Sequence, residues 1–142
     1  MIVSAKTEYA CIAVLELAAR QEGGEPVRIR DIAETHGVPS RFLVQILLQL
    51  KAAGLVRSIR GAAGGYVLAR EAGDITLLDV MTVVDRQVGQ APKSAARSTA
   101  TTRALQRTWK TVASQERESL REVTFSNLVK SLKGAPEGMY YI

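Results

Sequence analysis

The sequence predicts a mainly α-helical fold with one small β-hairpin, in the α+β class. Apolar residues recur at helical spacing in most segments of the 142-residue chain. Residues 55–68 instead alternate apolar and polar positions around a run of Gly and Ala, which is the pattern of two short strands joined by a tight turn. With 46% hydrophobic and 23% charged residues, the composition favours a folded core over disorder.

The first two helices are predicted from apolar spacing. One covers residues 4–20 and ends at a stretch with two glycines and a proline. The second is short, contains Ile29 and Ile32, and ends at His36-Gly37. For a lone histidine at that position, interaction with the helix dipole is favoured over metal binding.

The third predicted helix covers residues 38–54, with Pro39 in its first turn and Gly54 as its carboxyl cap. The expected buried stripe is Phe42, Leu43, Ile46, Leu47 and Leu50. Another face carries three long polar side chains and no acid: Arg41, Gln45 and Gln49. A solvent-exposed face usually mixes both charges, so this face is predicted to contact base edges and phosphates.

Charge is distributed unevenly along the chain, which has a formal net charge of +5. Residues 35–70 contain no Asp or Glu, and their cations are Arg41, Lys51, Arg57, Arg60 and Arg70. Residues 71–85 then contain acids but no Lys or Arg. A continuous basic segment favours a polyanionic partner over a solvated face without a partner.

The second half of the chain predicts a fourth helix over residues 74–85, with Thr76 as its cap. A flexible linker or loop over residues 86–102 follows, then a long helix from residue 103 to 123. The long helix has one narrow apolar stripe, expected to pair with a second copy of the chain: Leu105, Trp109, Val112, Leu120 and Val123. Residues 124–132 predict a short terminal helix, and residues 134–142 a tail.

Several classes of protein are excluded. Cys11 and His36 are the only residues of their kinds, which excludes a disulfide framework, a Cys/His zinc site and Cys/His nucleophilic catalysis. The Gly-Ala run lacks the Lys and Ser/Thr of a phosphate-binding loop. We therefore expect no enzyme, no metal and no cofactor, and we expect Cys11 to be a buried thiol rather than a redox sensor.

Location is inferred from the same composition. No run of about 18 apolar residues or unbroken secretory signal is present. We therefore expect a cytoplasmic protein without a membrane segment.

Three helices followed by a hairpin are the winged helix-turn-helix arrangement, expected here over residues 1–85. Residues 103–142 then form a dimerisation helix and tail. The third helix suits the major groove of DNA. In the hairpin, Gly61, Gly64 and Gly65 are expected to let the turn bend and approach DNA. Arg60 suits the narrow minor groove and Arg57 a phosphate.

Three segments, "EYACIAVLELA", "RDIAETHGVPSRFLVQILLQLKAAGLVRSIRGAAGGYVLAR" and "ITLLDVMTVVD", resemble the Rrf2 family of bacterial transcription regulators. The resemblance covers residues 1–85 and, more loosely, the long helix. It implies a homodimer that binds a pseudo-palindromic operator in double-stranded DNA. The DNA contacts that it implies are Ser40, Arg41, Gln45 and Arg60.

The chain departs from the family pattern at two places. Val44 stands where a glutamate is common in the family. Many members also carry three cysteines between the fourth helix and the dimerisation helix, which hold an iron–sulfur cluster, whereas residues 86–102 contain none. Because thiolates are required to hold such a cluster, we expect a regulator that has no cluster.

Two functions remain open from the sequence. The first is a dimeric, sequence-specific transcriptional regulator, expected to be a repressor, whose effector the sequence does not identify. The alternative is an adaptor that uses the winged fold to bind protein and does not read DNA sequence. Salt-sensitive binding to a specific DNA would favour the regulator.

Overall fold

The computed structural model describes residues 1–134, so residues 135–142 of the expected tail lie outside the described part of the chain. The described part contains a two-stranded antiparallel sheet and six α-helices. In chain order the elements are α1 Ala5–Ala19, α2 Ile29–His36, α3 Ser40–Ala52, β1 Val56–Ile59, β2 Gly65–Leu68, α4 Leu77–Val84, α5 Ala100–Glu122 and α6 Phe125–Gly134. The mainly helical class with one hairpin is confirmed.

Helix α1 is the centre of the fold, because α3, α4, α6 and β2 all pack against it. Its buried face includes Ala10, Ala13, Val14, Leu17 and Ala18. The small side chains of the alanines let neighbouring helices approach closely. Helix α3 packs its own fully buried residues into this core: Leu43, Ile46, Leu47 and Leu50. Phe42 was expected among them, but it is 38% exposed and lies at the edge of the buried face.

Helices α2 and α3 are joined by a tight turn. Gly37 adopts a left-handed conformation with φ of 66° and ends α2, as its position after His36 predicted. Val38 is buried and fixes the turn to the core. His36 Nε2 also lies 2.7 Å from Glu16 Oε1 of α1. The turn between the two helices is therefore held by a glycine, an apolar contact and a side-chain pair.

The hairpin is attached to the helical domain by a third segment. Strands β1 and β2 pair from Val56 opposite Leu68 to Ile59 opposite Gly65. Val27, just before α2, forms a β-bridge with Tyr66 on the other side of β2. A Cβ atom on Gly65 would lie 2.6 Å from the Val27 carbonyl oxygen. The close approach that Gly65 allows is therefore, within the described residues, an approach of the chain to itself at Val27, and its approach to DNA stays a prediction.

Gly64 allows the turn of the hairpin to bend, which is part of the role predicted for it. A Cβ atom on this residue would collide with the carbonyl oxygen of Ile59. Of the hairpin glycines predicted to approach DNA, Gly61 alone has open space around its Cα and an exposed position.

The last part of the described chain returns to the core. Phe125, the first residue of α6, is fully buried, and its backbone N–H donates to the Ile75 carbonyl at 2.9 Å. Thr76 forms a β-bridge with Thr124. Helix α6 then packs along α1. The C-terminal region is therefore partly integrated with the helical domain.

Helix α5 begins at Ala100, three residues before the predicted start. A reciprocal pair of hydrogen bonds between Thr99 and Thr102 caps it, with each side chain accepting from the backbone of the other. Residues 85–99, before the helix, form neither helix nor strand. Val88 in this loop packs against Met81 and Leu120, and the Gly89 carbonyl accepts a hydrogen bond from Arg117 at 2.7 Å. The flexibility expected for residues 86–102 stays a prediction.

None of the helices in the described part of the chain combines the length and apolar character needed to cross a bilayer.

Candidate nucleic-acid interface

Helix α3 presents a solvent-exposed face opposite its buried stripe. Positions i, i+3, i+4 and i+7 lie on one face of a helix, and in α3 the exposed set at this spacing is Arg41, Val44, Gln45 and Leu48. Ser40 is exposed at the start of the same helix. Two polar and two apolar side chains therefore face outward where the sequence pattern predicted only polar ones. We call these four residues the α3 outer face.

Gln49 does not belong to the α3 outer face. Its side chain is partly buried, and its Oε1 atom is buried with no hydrogen-bond partner among the described residues. The predicted polar stripe ran through Arg41, Gln45 and Gln49. The structure exposes Leu48, the last of the four residues of the α3 outer face, and leaves Gln49 partly buried beside it. Gln49 is therefore poorly placed to reach a base edge.

Arg41 is supported by an aromatic pair. Its guanidinium lies 5.1 Å from the centre of the Phe42 ring, and this ring packs against Tyr9 of α1 with centroids 6.1 Å apart. Cation–π contacts at exposed sites contribute about 0.5–1 kcal/mol. The incomplete burial of Phe42 is thus explained by its position between α1 and the Arg41 side chain.

The hairpin carries the second group of exposed cations. Arg57 lies on β1, and Arg60 and Gly61 begin the turn, with all three exposed. Gly61 has φ of 109°, a left-handed conformation that favours glycine. The turn therefore offers bare backbone next to a guanidinium.

Arg28 is a residue at this site that the sequence reasoning missed. It lies directly after Val27, and its Nη2 donates a hydrogen bond to the Ala62 carbonyl in the hairpin turn. Its signal in the sequence was only its position beside a second arginine, in "RIR". A side-chain contact between residues this far apart in sequence needs the fold.

The electrostatics of the two elements agree. The described residues contain salt bridges at Glu16, Glu22 and Glu118, and none of them involves a Lys or Arg of residues 35–70; His36, at the end of α2, is the one residue of that segment that pairs with an acid, Glu16. Lys51 Nζ donates to Ser58 Oγ at 3.0 Å, which links α3 to β1 through neutral and cationic groups only. The exposed arginines of the α3 outer face and the hairpin therefore form no salt bridge within the described residues, which favours a positive surface at these two elements.

Helix α5 divides into two parts with different surroundings. Leu105, Trp109 and Val112 are 51%, 44% and 49% exposed, so an apolar surface in the first part of the helix is open to solvent. Leu120 is 6% exposed and packs inside the chain against Met81 and Val88. The five predicted dimerisation residues therefore do not form one exposed stripe.

Val123 also lies apart from the exposed residues of α5. It follows the end of the helix in an extended conformation, and its carbonyl accepts from the Leu77 N–H at 2.9 Å. The structure therefore brings Leu105, Trp109 and Val112 together and assigns Leu120 and Val123 to contacts within the subunit.

Cys11 lies between the two apolar clusters of the subunit. Burial raises the pKa of its thiol to about 11, so the group is a neutral thiol near pH 7. No group of three or more His, Cys, Asp and Glu side chains that could hold a metal occurs within residues 1–134. A single cysteine in the whole sequence cannot supply the set of thiolates that an iron–sulfur cluster requires.

Comparison with known proteins gives a consistent result. The family described as "Rrf2: Iron-dependent Transcriptional regulator" matches residues 3–131. An HTH-type transcriptional regulator of Mycobacterium tuberculosis is 36% identical over 136 residues, covering 90% of this chain and 81% of the relative. The HTH-type transcriptional regulator IscR of Cronobacter sakazakii is 40% identical over 88 residues, covering 62% of this chain and 54% of IscR.

Solved structures share the whole described architecture. CymR (YrzC), the global cysteine regulator of B. subtilis, is 30% identical and superimposes with a TM-score of 0.80, covering 92% of this chain and 98% of CymR. IscR of T. potens is 33% identical with a TM-score of 0.76, covering 99% of this chain and 97% of IscR. The similarity thus extends beyond the three helices and hairpin to the long helix.

Proposed function

The chain belongs to the Rrf2 family of transcriptional regulators, and on that basis we propose that it acts as a homodimer that binds a pseudo-palindromic operator and represses transcription in the cytoplasm. It is a DNA-binding regulator and not an enzyme. The observation that supports the mode of binding is the exposure of Arg41, Arg57 and Arg60 on two adjacent elements, α3 and the hairpin, within a segment, residues 35–70, that contains no Asp or Glu.

Helix α3 is the element for the major groove, which accepts one α-helix. Arg41 and Gln45 project from its first two turns, where recognition helices reach base edges. Arginine pairs with guanine O6 and N7, and glutamine with adenine N6 and N7. Ser40, at the helix start, is placed for a phosphate, a contact that fixes register without reading sequence.

The hairpin acts as the wing beside the recognition helix. Arg60 is assigned to the narrow, electronegative minor groove and Arg57 to a phosphate. Gly61 allows close approach of the backbone, and Arg28 holds the turn through the Ala62 carbonyl. Anchoring at Val27 keeps the wing in one position relative to α2 and α3. A wing fixed in this way lowers the entropy lost on binding.

The first part of α5 provides the dimer contact. The helix has 23 residues, a length of about 34 Å, and its buried residues lie only at Ala113 and beyond. A second copy can cover Leu105, Trp109 and Val112 through a two-fold interface, in which both subunits use the same residues. Two-fold symmetry in the protein then requires two inverted half-sites in the operator.

Regulation through an iron–sulfur cluster does not fit this chain. The family description includes iron dependence, but Cys11 is the single cysteine and it is partly buried against the two apolar clusters of the subunit. The proposed function therefore uses no cluster. Repression follows from an operator-bound dimer that covers promoter DNA and excludes other proteins from it.

Selection from a pool of random DNA duplexes tests the proposal. The expected product is a sequence with two inverted half-sites, and we call this duplex the operator. Its affinity, measured by fluorescence anisotropy, should exceed that for a scrambled duplex. Log affinity should fall with log salt at a slope of about −0.9 for each phosphate contacted. Adding the protein to transcription from a promoter overlapping the operator should lower transcript yield.

Each other result has a defined meaning. A single half-site among the selected sequences would contradict the homodimer. A rise in transcript yield would contradict repression and leave operator binding by a homodimer intact. No enriched sequence, or equal affinity for the scrambled duplex, would contradict operator binding and favour the protein-binding adaptor.

A further inference from the structure

Val44 is an apolar residue at the centre of the proposed DNA-binding surface. It is 44% exposed, and Leu48, one turn further, is 54% exposed. The apolar residues on the opposite side of α3 are fully buried, so the core of the subunit is complete without either side chain. The fold therefore does not explain an exposed valine at position 44.

The position of Val44 in the helix is suited to base contacts. It lies four residues after Ser40, about 6 Å along the helix axis, and between Arg41 and Gln45 on the α3 outer face. If those two side chains reach base edges, the valine between them is carried to the same depth. There it must face a group that gains from contact with a branched alkyl chain.

The major groove offers one apolar group on its floor, the C5-methyl group of thymine. The other groups there are hydrogen-bond donors and acceptors, and contact with valine would remove water from them without a replacement partner. An unsatisfied polar group of this kind is unfavourable. A valine at this depth therefore favours thymine and disfavours cytosine, whose N4 amino group is a donor.

We propose that Val44 packs against the 5-methyl group of a thymine and thereby specifies one A·T pair in each half-site. The inference rests on the proposed operator binding by α3. Charge favours DNA over a protein surface as the occupant of this face. Arg41 shares the face and residues 35–70 contain no acid, so an apolar protein surface would have to desolvate an unpaired guanidinium.

Single replacement of thymine by deoxyuridine tests the contact, because deoxyuridine lacks only the methyl group. Each thymine of the operator is replaced in turn, and affinity is measured by fluorescence anisotropy. One position in each half-site should lose affinity about fourfold, the effect of burying about one methyl-sized group at 1.4 kcal/mol per tenfold.

Two variants assign that loss to a side chain. In Val44→Ala, thymine and deoxyuridine at the sensitive position should bind with equal affinity. Leu48→Ala is the matched control, since it shortens an exposed apolar residue on the same face and should keep the fourfold difference. Thermal unfolding of both variants should match that of the unmodified protein, because both side chains are exposed.

Three results would overturn the inference while leaving operator binding intact. They are the absence of any deoxyuridine-sensitive position, an unchanged difference in Val44→Ala, and an equal loss of the difference in both variants. The proposed function would fail by a different observation, namely the absence of any duplex preferred over its scrambled control.

Discussion

Val27 and Tyr66 exchange two backbone hydrogen bonds, with N···O distances of 2.9 Å from Val27 to Tyr66 and 2.8 Å in return. Val27 lies two residues before the start of α2, and Tyr66 lies in β2. The wing is thus joined to the helix-turn-helix by a main-chain contact that does not depend on side-chain identity. Close backbone approach at this point leaves no space for a side chain on Gly65.

Gly65→Ala is expected to destabilise the subunit, because its Cβ would lie 2.6 Å from the Val27 carbonyl oxygen. The free energy of unfolding in urea should fall by about 1–3 kcal/mol. Gly73→Ala is the matched control, since its Cβ would meet only the Ser126 side chain at an ordinary 3.8 Å. Equal stability of the two variants would show that the Val27 bridge does not restrict the wing.

Arg60→Ala and Arg57→Ala should affect DNA binding in different ways. Arg60→Ala should lower operator affinity by about 1–3 kcal/mol and reduce the preference over scrambled DNA. Arg57→Ala should weaken both duplexes equally and reduce the salt slope by about 0.9, the effect of one phosphate contact. Lys130→Ala, an exposed change on α6, should leave both affinities unchanged. Identical behaviour of the two arginine variants would contradict their assigned roles.

Gln45 and Gln49 are expected to differ although both are glutamines on α3. Gln45→Ala should weaken operator binding by about 1–3 kcal/mol. Gln49→Met should leave operator affinity unchanged and raise the free energy of unfolding by about 1 kcal/mol, because it removes a buried oxygen that lacks a partner. Anisotropy and urea unfolding measure the two effects. Loss of operator affinity in Gln49→Met would restore this residue to the DNA contacts.

Trp109→Ala should weaken the homodimer, because Trp109 is the largest side chain on the exposed surface of α5. A central tryptophan of an interface contributes about 2 kcal/mol or more, and two-fold symmetry removes it twice. Sedimentation equilibrium should show the mass shifting from two chains toward one. Lys110→Ala, an exposed change at the next position, should not shift it. An unchanged dimer in Trp109→Ala would place the interface elsewhere.

Leu120→Ala should act on the folded subunit instead. Its side chain is buried against Met81 and Val88, so the cavity left by alanine should lower the free energy of unfolding by about 2–5 kcal/mol. Urea unfolding at constant protein concentration measures this loss. A variant of normal stability that dissociates into single chains would return Leu120 to the dimer surface.

Cys11 predicts a decline in stability at alkaline pH. Its pKa is raised to about 11 by burial, whereas a thiol in the unfolded chain has a pKa near 8.5. Above that pH the thiol of the unfolded chain loses its proton while the buried thiol of the folded chain keeps it. The contribution of the neutral thiol to the free energy of unfolding is therefore lost as pH rises toward 11. The free energy of unfolding, measured from pH 7 to 11, should therefore decline less in Cys11→Ala than in the unmodified protein. Equal slopes for the two proteins would show that the thiol does not contribute.

The local signals in the sequence were sufficient for most of the helical domain. Gly37 ends α2 because a left-handed residue was needed there, and Pro39 lies directly before α3. The strands follow the alternation of Val56 to Ile59 and Gly65 to Leu68. Each of these features depends on neighbours in the chain, which the sequence displays directly.

The errors concern contacts between distant segments. Periodicity places Arg41, Gln45 and Gln49 in one row, but the packing of α3 against α1 decides which row is exposed. That packing exposes Leu48 and leaves Gln49 partly buried, with its Oε1 atom inaccessible to solvent. In the same way, Val88 from the preceding loop covers Leu120. Spacing within a helix does not contain this information.

The return of the chain from α5 to the core has a mechanical consequence. The carboxyl end of α5 is fixed to the subunit by Leu120, and Phe125 anchors the chain directly after it. The exposed first half of α5 is therefore held at a fixed orientation to the subunit that carries the recognition helix α3. In a dimer joined through two α5 helices, the angle between these helices sets the distance between the two recognition helices. Half-sites one helical turn apart, about 34–36 Å, are then matched only by dimers in which the two α5 helices meet at the corresponding angle.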